Sequence, residues 1–149
     1  MSSIENGSGL GTEGRHMKLL VRTKNAMLLG NGLIVHVRKV QQYRKKHGKL
    51  PQRPYLTYTQ LVEQTGAKLA MVGIGNFLDE VMNAIHAPDA PEALRGLTLF
   101  VTDKTGFIAY GTGKHNWRGI DAKNAPAYRK AVLDQDLTNV AFISADGGV

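Results

Sequence analysis

Cysteine is absent from all 149 residues. That excludes disulfides, thiolate zinc sites and cysteine nucleophiles together, and leaves the redox compartment open. No apolar run approaches the roughly 18 residues that a membrane span needs. Acid is missing too, over one long stretch. From Lys18 to Arg53 there are ten basic residues and no Asp or Glu. The ten are Lys18, Arg22, Lys24, Arg38, Lys39, Arg44, Lys45, Lys46, Lys49 and Arg53. From Pro54 onward eight basic residues meet ten acidic ones, so the net charge of +7 is concentrated in one segment. Such polarity points to a polyanionic partner more strongly than the total does.

What is present is an ordinary globular balance, 42% hydrophobic and 21% charged, with a length that suits one domain. Residues 1–16 have no periodicity, and Thr12-Glu13-Gly14-Arg15-His16-Met17 looks like an altered protease site before a cloning junction. We read residues 1–16 as an expression-tag remnant, with a native disordered tail as the alternative, and residues 17–149 as a single α+β domain. Without a long apolar leader, a cytoplasmic location is the expectation.

Lys18–Arg22 reads as a strand, Gly30-Asn31-Gly32 as a turn, and Leu33 to His47 as a helix with Leu33, Ile34, Val37, Val40 and Tyr43 on one face. Gly48 caps it, and the cations at its end favour the helix dipole. Thr57 stands three residues before Gln60 and Leu56 five before Leu61, a capping box with a hydrophobic staple. This predicts a helix over 58–65 ended by Gly66. A second helix over about 68–86 presents Ile74, Phe77, Leu78, Val81 and Ile85. Leu97–Thr102 alternates like a strand, and with Phe107–Tyr110 it predicts a β-hairpin across Asp103-Lys104-Thr105-Gly106. A helix near Pro126–Leu133 and a strand Val140–Ser144 complete the expectation.

Two helices followed by a hairpin are the order of a winged helix-turn-helix, in which the second helix enters the major groove. The segment Leu56-Thr57-Tyr58-Thr59-Gln60-Leu61, then Gly66, then Ala70-Met71-Val72-Gly73, resembles the DNA-binding half of the O6-alkylguanine-DNA alkyltransferases and alkyltransferase-like proteins. The resemblance spans about residues 54–114. It implies a winged-helix-like centre and a DNA-backbone role for Tyr58. It departs where Ala70 replaces the family's arginine finger and where the Pro-Cys-His-Arg motif is missing. Alkyl transfer is thereby excluded, since no thiolate accepts the group.

The expected function is non-enzymatic nucleic-acid binding, with duplex DNA as the expected partner and no cofactor. Arg38, Arg44, Lys45, Lys46 and Lys49 are the candidate phosphate ligands. Lys68 and Lys104 would lie nearer the groove. Lys114, in a Gly111-Thr-Gly loop that lacks the spacing of a Walker motif, is a further phosphate candidate. Tyr43 and Tyr55, interleaved with the cations, are candidates for base stacking or for partial burial. Two alternatives remain. One is a small metal-dependent nuclease built on His115 and Asn116, with Asn124 as the only further ligand candidate. The other is an interaction module for an acidic protein. A membrane surface fits less well, because the basic helix is poor in large lipid-facing groups.

Overall fold

The computed structural model describes residues 17–67, 74–102, 119–121 and 123–145. The order is β1 (Met17–Val21), α1 (Lys24–His47), β2 (Leu56–Thr57), α2 (Tyr58–Thr65), α3 (Ile74–Ile85), β3 (Val101–Thr102), α4 (Ala125–Leu133) and β4 (Val140–Ser144). Short 3-10 turns at Glu92–Leu94 and Leu97–Phe100 fall between α3 and β3. The class is α+β, as the sequence predicts, with one long helix, three shorter ones and short strands among the described residues.

One helix organises the molecule. α1 has 24 residues and is about 36 Å long at the rise of an α-helix. It packs against β4, α2, α3, α4 and the Leu97–Phe100 turn. Its buried side is Ala26, Met27, Leu29, Leu33, Ile34, Val37 and Val40, an apolar stripe at helical spacing. β1 and β4 pair in parallel from Met17 opposite Val140 to Val21 opposite Ser144. Leu19 and Val21 point into the core while Lys18 and Leu20 face out, the period of a half-buried strand.

The N-terminus of α1 lacks acid in its first turn, and tertiary structure supplies it. Glu80 of α3 accepts from the amides of Arg22 (3.0 Å) and Thr23 (2.9 Å). Thr23 in turn caps the helix through the Ala26 amide. A carboxylate at that end satisfies orphan donors and complements the dipole.

The Gly30-Asn31-Gly32 turn is not formed, and α1 runs straight through it from Lys24. The reason is packing. A Cβ on Gly30 would lie 2.5 Å from the Phe142 ring, so only glycine lets β4 approach this closely. Asn31 then behaves like a piece of neighbouring strand: its Oδ1 accepts from the Phe142 amide at 2.7 Å and its Nδ2 donates to the Phe142 carbonyl at 3.1 Å. Residues that signal a turn here serve a helix–strand contact.

α2 forms as predicted. Thr57 and Gln60 make both bonds of the capping box, Leu56 and Leu61 are buried, and Gly66 ends the helix at φ 71°. In α3 the buried members of the expected face are Leu78, Val81 and Ile85, joined by Met82. α4 carries Pro126 in its first turn, as expected. The strand expected over Leu97–Thr102 is largely corrected. Leu97–Phe100 is a 3-10 turn, and only Val101–Thr102 is extended, pairing in parallel with Leu56–Thr57. All six residues from Leu97 to Thr102 are buried, so the alternation of Thr with apolar residues does not mark two faces. Phe107–Tyr110, the expected second strand of the hairpin, and residues 68–73, the expected start of the second helix, lie outside the described residues.

Candidate nucleic-acid interface

The basic segment folds mainly as the C-terminal half of α1, buried on one side, and the loop beyond it. Arg44, Lys45, Lys46 and His47 occupy the last turn, where cations oppose the negative helix end. Gly48, left-handed at φ 72°, donates its amide to the Arg44 carbonyl at 2.8 Å and stops the helix. Lys45, Lys46, Lys49 and Arg53 are exposed.

Helical geometry sorts the α1 cations by direction. Arg38, Gln41 and Arg44 rise at three-residue intervals on the side that meets the end of α4. Arg44 donates to the Leu133 carbonyl at 2.6 Å and lies 3.2 Å from Asp134. The Gln41 Nε2 amide donates to the carbonyls of Gln135 (2.7 Å) and Leu133 (3.1 Å), with a longer contact to that of Val132 (3.4 Å). Together they donate to carbonyls at and just beyond the α4 C-terminus, where the helix itself supplies few partners. The Lys130 ammonium, 2.8 Å away, and then Arg44 hold the Asp134 carboxyl below its ordinary range. Asp136 is lowered chiefly by the Thr138 hydroxyl and amide, with a smaller pull from Arg38. Arg38 is half-buried. Arg38 and Arg44 therefore have acidic neighbours within the fold.

The other side is different. Lys39, Tyr43 and Lys46 follow one another at four- and three-residue intervals and all are exposed. No resolved salt bridge engages Lys39, Lys45, Lys46 or Lys49 among the described residues. Lys39 is the member that sequence reasoning left out of the candidate set. Its seven-residue spacing from Lys46 was the available signal.

The two candidate stacking tyrosines separate. Tyr43 is exposed, and its ring centroid lies 4.2 Å from that of His47. Tyr55 is half-buried, 6.4 Å from Phe100, with the Arg129 guanidinium 5.8 Å over its ring. Tyr58 opens α2 and packs partly buried against the core. His36 donates to the Pro54 carbonyl at 2.7 Å, tying the loop after α1 back to the helix. Burial lowers the His36 pKa and the nearby Lys39 charge lowers it further, against the opposing effect of that hydrogen bond.

Lys68, Lys104, Lys114, His115, Asn116 and Trp117 lie outside the described residues. Asn124, the further ligand candidate of the nuclease reading, holds its own loop together. Its Oδ1 accepts from the Asp121 amide and its Nδ2 donates to the Gly119 carbonyl, both at 2.8 Å. Among the described residues no group of three His, Asp or Glu side chains is placed to hold a metal ion, and no helix is long and apolar enough to cross a membrane. An open groove of about 330 Å³ between the Glu92–Leu94 turn and α4 is lined by Glu92, Ala93, Ala127, Tyr128 and Ala131. Among the described residues its only charged side chain, Glu92, is acidic, which does not suit a polyanion. No family model, curated protein or solved structure matches the chain.

Proposed function

We propose that this protein binds nucleic acid without chemistry, holding phosphates through the solvent-facing cations at the C-terminal end of α1. The observation that carries the reading is the division of α1. Arg44 is engaged by α4, whereas Lys39, Lys45, Lys46 and Lys49 stand exposed in a segment without a single acidic residue. Exposed ammonium groups on a rigid helix suit phosphate oxygens, and their binding releases counterions. Arg38, beside Asp136, supports the same field from behind.

Duplex DNA as the partner rests on the expected winged order, whose first wing strand is mostly a 3-10 turn here, and on the alkyltransferase resemblance; the first would bring Lys68 and Lys104 near the groove, and the second gives Tyr58 a backbone contact. Phosphate binding by α1 does not depend on that arrangement. Lys114 is a further phosphate candidate on the same reading.

The test is a gel-shift series with labelled duplex DNA, single-stranded DNA and RNA in chelator, at several salt concentrations. Binding at low salt that weakens steeply as salt rises is the expected result. Absence of binding at low salt would remove the proposal. Loss of substrate over time with Mg2+ or Mn2+ would favour the nuclease, and retention by an acidic protein alone would favour the interaction module.

A further inference from the structure

Three of the four large hydrophobic side chains exposed among the described residues belong to α1 or the loop just after it. Val35 is 52% exposed, Tyr43 37% and Leu50 41%. Val35, Lys39, Tyr43 and Lys46 follow at helical spacing, so apolar and cationic groups alternate along one stripe. Duplex DNA presents phosphates outward and stacks its bases within, so apolar groups between phosphate ligands gain little from it. A single strand offers phosphates and the flat faces of bases together.

We propose that Tyr43, braced by His47, is a stacking platform for an unpaired base, and that single-stranded nucleic acid is the preferred partner of this stripe. The inference rests on the phosphate-binding reading above and names its substrate class. Tyr43 is exposed but not loose: the His47 ring, one turn on, lies 4.2 Å away and tilted by 40°. The tilted neighbouring ring restricts the tyrosine, which reduces the entropy lost on binding. Lys39 precedes Tyr43 by one turn and Lys46 follows it by nearly one, so a strand crossing the ring meets an ammonium group on either side. Val35, two turns before Tyr43, extends the apolar surface along the same stripe. Tyr55, by contrast, has its ring taken up by Phe100 and Arg129. An anionic membrane is the other polyanion with an apolar component, but the stripe offers only Val35 and Tyr43 for insertion among the described residues.

The experiment measures fluorescence anisotropy of a labelled 20-nucleotide single strand and of the matching duplex, with wild type, Tyr43→Ala and Tyr43→Phe. Wild type should bind the single strand more tightly than the duplex. Tyr43→Ala should weaken single-strand binding about tenfold and leave its salt slope unchanged, because one stacked base is lost and no charge. Tyr43→Phe, which keeps the ring, should bind like wild type. Circular dichroism melts of each variant establish that the fold is retained. Equal affinity of Tyr43→Ala and wild type for the single strand, with duplex binding intact, would overturn the platform while leaving phosphate binding standing. Failure of wild type to bind either form would overturn both readings. Tighter binding to vesicles containing anionic phospholipid than to the single strand would overturn the inference in favour of a membrane surface.

Discussion

The two sides of the C-terminal half of α1 carry similar residues and do different work. On one, Gln41 and Arg44 reach into the end of α4, and their polar groups are consumed by its carbonyls and Asp134. On the other, Lys39, Tyr43 and Lys46 face solvent. An acid-free run therefore does not equal a uniform binding face. On the proposed reading, a cation is open to phosphate only where the fold leaves it without an internal partner, and neighbours distant in sequence decide that. Arg44 meets its acid 90 positions away, in a segment whose composition is unremarkable.

The same contrast holds along the helix. Its N-terminal half meets β4 through Gly30 and Asn31, whereas its last residues, Lys45, Lys46 and His47, are exposed. The largest expected effect comes from breaking the first. Gly30→Leu forces a side chain against the Phe142 ring and should destabilise by about 3 kcal/mol, at the upper end for overpacking. A thermal or chemical melt checks it, and an unchanged midpoint would mean that β4 does not sit against Gly30. Asn31→Ala should follow at about 2 kcal/mol, since it strips both backbone groups of Phe142 of their partner. Faster hydrogen exchange at the Phe142 amide would accompany it.

On the α4-facing side, Arg44→Gln should cost about 1 kcal/mol through the lost contact with the α4 terminus. A denaturant titration reads it directly. His36 should give the smallest effect. Its folded pKa is depressed by burial, so the unfolded chain takes up its proton first. The stability contributed by neutral His36 is complete above its ordinary value of 6.5 and is lost as pH falls through the lowered folded value. His36→Gln should flatten the stability–pH curve in that window, measured by urea melts at successive pH values.

Sequence reasoning reached the class, β1, α2 with its caps, α4 and β4, because those signals are local. Thr57, Gln60 and Gly66 specify a helix among themselves. It failed where a residue type has two uses. Gly30 and Asn31 signal a turn by propensity, yet here they make room for one aromatic ring and bond its backbone. Leu97–Phe100 alternates in polarity, yet Thr98 is as buried as its neighbours, so the period of two carries no face. For the candidate site, Lys45, Lys46 and Lys49 were legible as cations at a helix end, while the engagement of Arg44 and the separation of Tyr43 from Tyr55 were not. Those distinctions arise from α4 and Phe100, which only the tertiary fold brings near.

The division of α1 is tested most directly by the salt dependence of affinity for a single-stranded oligonucleotide. The slope of log K against log salt is compared for wild type, Arg44→Gln and the triple change Lys39→Gln, Lys45→Gln, Lys46→Gln. Three lost phosphate contacts should reduce its magnitude by about 2 on a single strand, with a melting temperature close to that of wild type. Arg44→Gln should lower stability and leave the slope as it is. An unchanged slope in the folded triple variant, or a drop in slope on replacing Arg44 alone, would contradict the account.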